Sequence, residues 1–186
     1  MNPDQAEAQL FADALVCVDE LPYRLSPLPS GIEFRSAAVA AAERLLHSLV
    51  ALESSLPEEA EPGLTDSALQ RLDAKLDLVL DLLSRLLASE QPTLLARPLR
   101  WSRLGARIEV SEAPQVGSPQ LLILHLQTGL PVPLKLPVDV LAVAPGAGGL
   151  HIAWLAFPTD AAGLEAELQR LLFRQHRRQI AASRRG

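Results

Sequence analysis

The stretch SALQRLDAKLDLVLDLLSRLL, residues 67–87, constrains this chain more than any other. Its apolar residues Leu69, Leu72, Leu76, Val79, Leu83 and Leu86 alternate steps of three and four, the heptad spacing of a coiled-coil seam. Only a helix puts all six on one face. Leu78, Leu80, Leu82 and Leu87 widen that face and leave a narrow polar strip around Asp73, Asp77, Asp81 and Arg85, so the helix needs neighbours on more than one side. Thr65 or Asp66 can cap its first turn, and no Gly or Pro interrupts it before Pro92. Periodicity alone leaves two readings open: an oligomerisation seam, or a helix buried in one core.

A chain of 186 residues can bury a substantial core. Hydrophobic residues make up 48% but aromatics only 4%, so Leu and Ala must do most of the filling, which favours helix packing over an aromatic-rich sandwich. No apolar run reaches about 18 residues, and MNPDQAEAQLF lacks the basic-then-apolar order of a signal peptide. A soluble, cytoplasmic protein without membrane insertion is expected. The single Cys17 excludes an internal disulfide and a cysteine zinc site, as suits a reducing compartment. Charge is split along the chain. Residues 1–93 carry 16 acidic and 6 basic side chains, a balance of −10; residues 94–186 carry 6 and 11, a balance of +5. An anion, if one binds, belongs on the second half.

The order of elements follows from where the period changes. Residues 6–15 suit a short helix, and ALVCV (14–18) suits an edge strand equally well. LPYRLSPLPSG (21–31) holds three prolines and must be extended or turning. Ser36 opens a helix to about Leu52, with Val39, Ala42, Leu45, Leu46, Leu49 and Leu52 on one side, an antiparallel partner for the heptad helix. PEEAEPG (57–63) between them reads as a solvated acidic loop. Beyond Pro92, Leu95, Leu99 and Trp101 precede Gly105 and Ile108 and Val110 follow it, as in two strands joined at a tight turn. QLLILHLQ (120–127), PVPLKLPVDVLAV (131–143, Pro137 marking a bulge or edge) and LHIAWLAF (150–157) are further strands, punctuated by GSP, TG and PGAGG. Such spacing suggests a small antiparallel barrel. Thr159 or Asp160 then caps a last helix striped by Leu164, Leu168, Leu171, Leu172 and Ile180.

Helices, a small barrel and a closing helix ending FRQHRRQIAASRR together resemble the PilZ family of bacterial cyclic di-GMP receptors, and in particular its atypical branch, in which added heptad-repeat helices drive tetramerisation. LRWSRLGARIEV (99–110) resembles the region of the family's second binding motif: an acidic residue or Asn, one residue, Ser, two residues, Gly. LQRLLFRQHRRQIAASRR (168–185) resembles its closing helix, where a Phe precedes an Arg-rich run. The resemblance covers residues 93–186 for the barrel and 36–91 for the added helices. It implies an α+β fold with a PilZ-like β-barrel and C-terminal helix, a helical oligomerisation region and a homotetramer. The division expected is 1–35 as a partly extended N-terminal segment, 36–91 as the oligomerisation region and 93–186 as the barrel with its helix.

Carried over by position, Ser102 and Gly105 match the motif, while Arg100 stands where the acidic residue or Asn belongs. A guanidinium has donors only and cannot accept from a guanine edge. The family's other motif, two arginines separated by three residues ahead of the barrel, has no match in EQPTLLARPLR (90–100); Arg103 and Arg107 have that spacing beyond the turn. Arg97, Arg100, Arg103 and Arg107 could fork onto two phosphates, or could be a solvated basic strand, since alternation sends some to opposite faces. The tentative ligand residues are therefore Arg97, Arg100, Ser102, Arg103 and Gly105, with cyclic di-GMP bound weakly if at all. The C-terminal arginines lie on one amphipathic helix without aromatic interleaving, which argues against a nucleic-acid polymer. No metal or other cofactor is expected, and no catalytic residue: His47, His125, His151 and His176 show no ligand spacing, GxSxG and P-loop are missing, and GAGG (146–149) precedes a strand. Two functions remain: an oligomeric adaptor of cyclic di-GMP-related signalling with an unidentified protein partner, or a working receptor that binds the dinucleotide at the barrel mouth.

Overall fold

A computed structural model describes residues 1–29, 31–54, 95–126 and 132–183. The heptad positions Leu69, Leu72, Leu76, Val79, Leu83 and Leu86 lie outside these. In chain order the elements are α1 (Pro3–Phe11), β1 (Cys17–Pro27), α2 (Ile32–Ser54), β2 (Ala96–Trp101), β3 (Gly105–Val110), β4 (Pro119–Leu124), β5 (Leu134–Pro145), β6 (His151–Ala156) and α3 (Ala162–Ser183). The strands close in the order β1-β2-β3-β6-β5-β4, all pairs antiparallel. This is the expected α+β class, with the barrel and its C-terminal helix.

Closure depends on β1. Its first half, Cys17 to Pro22, pairs with β2, and its second half, Tyr23 to Pro27, pairs with β4. One strand thus joins both ends of the sheet and leaves no open edge. Pro22, which lacks an N–H, falls where β1 changes partner, a place that needs no ladder donor. The change of period predicts that the barrel starts near residue 93. Five strands do lie beyond it, and the sixth comes from residues 17–27, so α2 and the stretch up to residue 95 are inserted between β1 and β2.

Alternation fills the barrel. Tyr23, Leu99, Trp101, Ile108, Leu122, Leu124, Leu136, Val140 and Leu155 are almost wholly buried and form one core. Ala42, Leu46 and Leu49 of α2 and Leu164, Leu168, Leu171 and Leu172 of α3 continue it, and the two helices also pack on each other. Arg35 near the start of α2 forks onto Asp139 of β5 at 2.9 and 2.7 Å. Helix α2 begins at Ile32, four residues before the expected Ser36. Helix α3 begins at Ala162, past Thr159 and Asp160, and Ala161 accepts the first helical bond from Glu165 N–H. Ile180, expected in the α3 stripe, is 39% exposed. Pro137 sits in register opposite Leu121, while the bulge comes later, between Val140 and Ala142. Since β6 pairs with β5 from Asp139 to Pro145 and not before, Pro137 has a partner strand on one side only, where a missing N–H is tolerated.

Candidate functional site

The β2–β3 hairpin carries the motif-like residues, and its turn explains where they go. Ser102 donates its backbone N–H to the Gly105 carbonyl at 2.8 Å. Its hydroxyl, wholly buried, donates to the Leu10 carbonyl at 2.6 Å and accepts from Leu104 N–H at 3.0 Å. A Cβ on Gly105 would stand 2.2 Å from the Leu155 carbonyl oxygen and 2.6 Å from Leu10 Cδ2. Ser102 and Gly105 therefore fasten the turn to α1 and β6.

The register set by this turn places Arg100 directly opposite Arg107. Both have the parity that points away from the barrel interior, where like charges facing each other across a ladder are unfavourable. Glu7 of α1 resolves the conflict. Its Oε1 accepts from Arg100 Nη1, its Oε2 lies 3.8 Å from Arg107 Nη1, and Oε2 also accepts from the Trp154 indole N–H at 2.7 Å. Phe11, one helical turn beyond Glu7, lies 4.5 Å from the Arg100 guanidinium, within cation–π range.

The other two arginines lie elsewhere. Arg103 in the turn donates to Glu165 of α3 at 2.7 Å. Arg97 has the parity of Leu99 and Trp101 and rests 5.0 Å over the Tyr23 ring at the barrel's far end. There it lines a cleft of about 340 Å³ with Arg24, Tyr23 and Gln120. The Tyr23 hydroxyl accepts from Glu109 N–H at 3.0 Å and lies 3.1 Å from the carbonyls of Pro98 and Glu109. Burial raises its pKa, an effect that the Glu109 backbone bond and Arg97 oppose. The structure thus brings Arg100, Ser102 and Gly105 together against α1, with Arg107, and separates Arg97 and Arg103 from them.

Glu7, Phe11 and Trp154 are the residues that sequence reasoning missed. Glu7 lies far upstream of the hairpin and has no spacing relation to it, so no local signal marks it. Among the histidines, His47 meets Glu167 at 3.4 Å, and His125 has a pKa lowered by burial and then by Arg24. Among the described residues no cluster of His, Cys, Asp and Glu could hold a metal ion, and no helix is long and apolar enough to cross a membrane.

The atypical PilZ domain family, described as a cyclic di-GMP receptor, matches residues 44–185. A solved structure, of a pathogenic protein from Xanthomonas campestris, is described as a new tetrameric PilZ domain self-assembled via an unusual helical bundle. It is 38% identical, with a TM-score of 0.81 over 96% of this chain and 97% of that one. No curated protein matches the chain.

Proposed function

The chain belongs to the atypical PilZ domain family, and from that premise we propose that it is an oligomeric adaptor of bacterial cyclic di-GMP-related signalling that binds the nucleotide weakly or not at all. One observation carries this reading. The motif-like residues spend their bonding capacity on the chain itself: Arg100 on Glu7, Ser102 on Leu10, Arg103 on Glu165 and Gly105 on close packing. A ligand would have to replace these contacts, and Arg100 offers a guanine edge no acceptor. Each charge-assisted contact forgone costs about 1.5–3 kcal/mol, so a few of them separate a micromolar receptor from a millimolar one at about 1.4 kcal/mol per tenfold.

The adaptor is a cytoplasmic homotetramer in this reading. Its relative's helical-bundle tetramer and the heptad spacing of Leu69, Leu72, Leu76, Val79, Leu83 and Leu86 support it. Residues 36–91 hold the oligomerisation region, inserted between β1 and the rest of the barrel, with its α2 part also packed on the barrel core, and a signalling protein docks on the barrel. Isothermal titration of the intact chain with cyclic di-GMP tests the first part. We expect no binding with Kd below about 1 μM; tighter binding overturns the adaptor reading in favour of a receptor.

A further inference from the structure

The outer face of β2, β3, β5 and β6 is shaped to hold one helix side-on. Arg100 and Arg107 oppose each other and call for an anion; Arg100 and the Trp154 N–H donate to the Glu7 carboxylate, and Arg107 lies 3.8 Å from it as an ion pair. Phe11, four residues after Glu7, covers the Arg100 guanidinium. Ala6 and Leu10, buried to 0% and 1% exposure, pack with Ala142 and Trp154 as a separate apolar cluster outside the barrel. An acid with an aromatic residue one turn on, flanked by apolar residues at the preceding and third following positions, is what an acidic amphipathic helix offers to a groove.

The present occupant is short. Helix α1 has nine residues, opened by Pro3 and by a capping box between Asn2 and Gln5. A helix of that length is marginal by itself, so its order comes from the face it lies on. Residues 12–16 tether it to β1, and a tether this short gives the cis copy an effective concentration on the order of millimolar.

We propose that this face is a docking site for an acidic amphipathic helix of a partner protein, which α1 fills in cis until that helix displaces it. The proposal rests on the adaptor reading and gives the chemistry of the partner that reading needs. Charge complementarity selects the occupant: the face presents two guanidiniums and an indole N–H around an apolar floor, and a carboxylate-bearing helix satisfies all of them. Displacement leaves the barrel closed, because no strand pairing involves α1.

The test uses the full chain and a fluorescein-labelled peptide of residues 2–13, followed by fluorescence polarisation. Glu7→Lys in the chain puts a third positive charge between Arg100 and Arg107 and frees the face. The peptide is expected to bind this variant at least tenfold more tightly than wild type, and to lose at least tenfold when it carries Glu7→Gln or Phe11→Ala. Hydrogen exchange on the wild-type chain should show amides 6–11 exchanging well before those of β2, β3 and β6. A folded variant that ignores the peptide overturns the proposal, as does exchange of α1 only on global unfolding. Should the variant fail to fold, the exchange result decides alone. A variant that binds cyclic di-GMP but not the peptide makes the face a nucleotide site and ends the proposal. The adaptor reading itself is decided separately, by nucleotide titration of the wild-type chain.

Discussion

Replacing Gly105 with Ala asks whether the motif glycine answers to packing or to a ligand. The added Cβ would lie 2.2 Å from the Leu155 oxygen, 2.6 Å from Leu10 Cδ2 and 3.2 Å from Ala156 Cα. A carbon–oxygen contact settles at about 3.3 Å or more, so the structure must open by roughly 1 Å. Leu10 can swing aside, but Leu155 and Ala156 are backbone in β6, held to β3 through Gly105↔Ala156 and Ala106↔Leu155. Overpacking costs about 1–3 kcal/mol when side chains can adjust, and a ladder that must part puts this variant at about 3 kcal/mol or above. At about 2–4 °C per kcal/mol for a chain of this size, Tm should fall by roughly 6–12 °C in a circular-dichroism melt. Leu10→Ala is the control. Alone it costs about 2–5 kcal/mol, yet in its background Gly105→Ala should keep most of its penalty, because the Leu155 oxygen remains. A Gly105→Ala chain melting within about 2 °C of wild type would refute the close approach. A penalty that vanishes with Leu10→Ala would place the clash on the side chain alone.

Further outcomes follow from other contacts. Arg35→Ala removes the fork that ties α2 to β5; with Asp139 41% exposed, screening limits the loss to about 1 kcal/mol, and 1 M salt should shrink the difference in melting between variant and wild type. The Cys17 thiol is pushed up to about 11 by burial, with Asp19 adding to it, so at pH 8 about one thiol in a thousand is ionised. Iodoacetamide should label it only in denaturant, and rapid labelling of the folded chain would contradict its buried place against α3, where Cys17 Sγ lies 3.4 Å from the Leu172 carbonyl oxygen. Leu76→Asp with Leu83→Asp should convert a tetramer into smaller species by light scattering, since charges in a desolvated seam cost several kcal/mol, about 2–7 by transfer. A wild-type monomer would remove the seam.

Much of the barrel was legible because its signals are local. Strands β4 and β6 fall within or close to the spans 120–127 and 150–157 that alternation and turn residues mark out, and Gly148 and Gly149 take the positive φ that the PGAGG hairpin needs. Strand β1 was not legible as a barrel strand. Its prolines break the period, and both its partners lie across the inserted segment, so its only recommendation is the buried trio Cys17, Leu21 and Tyr23. Helix α2 starts earlier than its stripe because Ile32 and Phe34 are 82% and 54% exposed; a turn with its apolar side chains in solvent leaves no amphipathic mark. Ile180 misled in the opposite sense, its spacing continuing the α3 stripe although its side chain is 39% exposed.

For the candidate site, the misfit was legible and its resolution was not. By the family resemblance Arg100 stands where an acidic residue or Asn is expected, which the sequence displays openly. What it does there depends on register. Ser102 and Gly105 set a turn that faces Arg100 with Arg107, and from that pairing alone an anion is required between them. Two sources were open to the chain, a bound phosphate or a carboxylate of its own. Glu7 supplies the second, and Phe11 supplies a ring over the guanidinium much as a nucleobase would. A receptor with an acid at this position would have no use for Glu7 and would be repelled by it. The arginine and the upstream glutamate therefore act as a pair within this chain, and exchanging their charges, Glu7→Arg with Arg100→Glu, should cost less stability than the sum of the two single changes. Thermal melts of the two single variants and the double variant measure that coupling, and strictly additive losses would show that the two residues act independently.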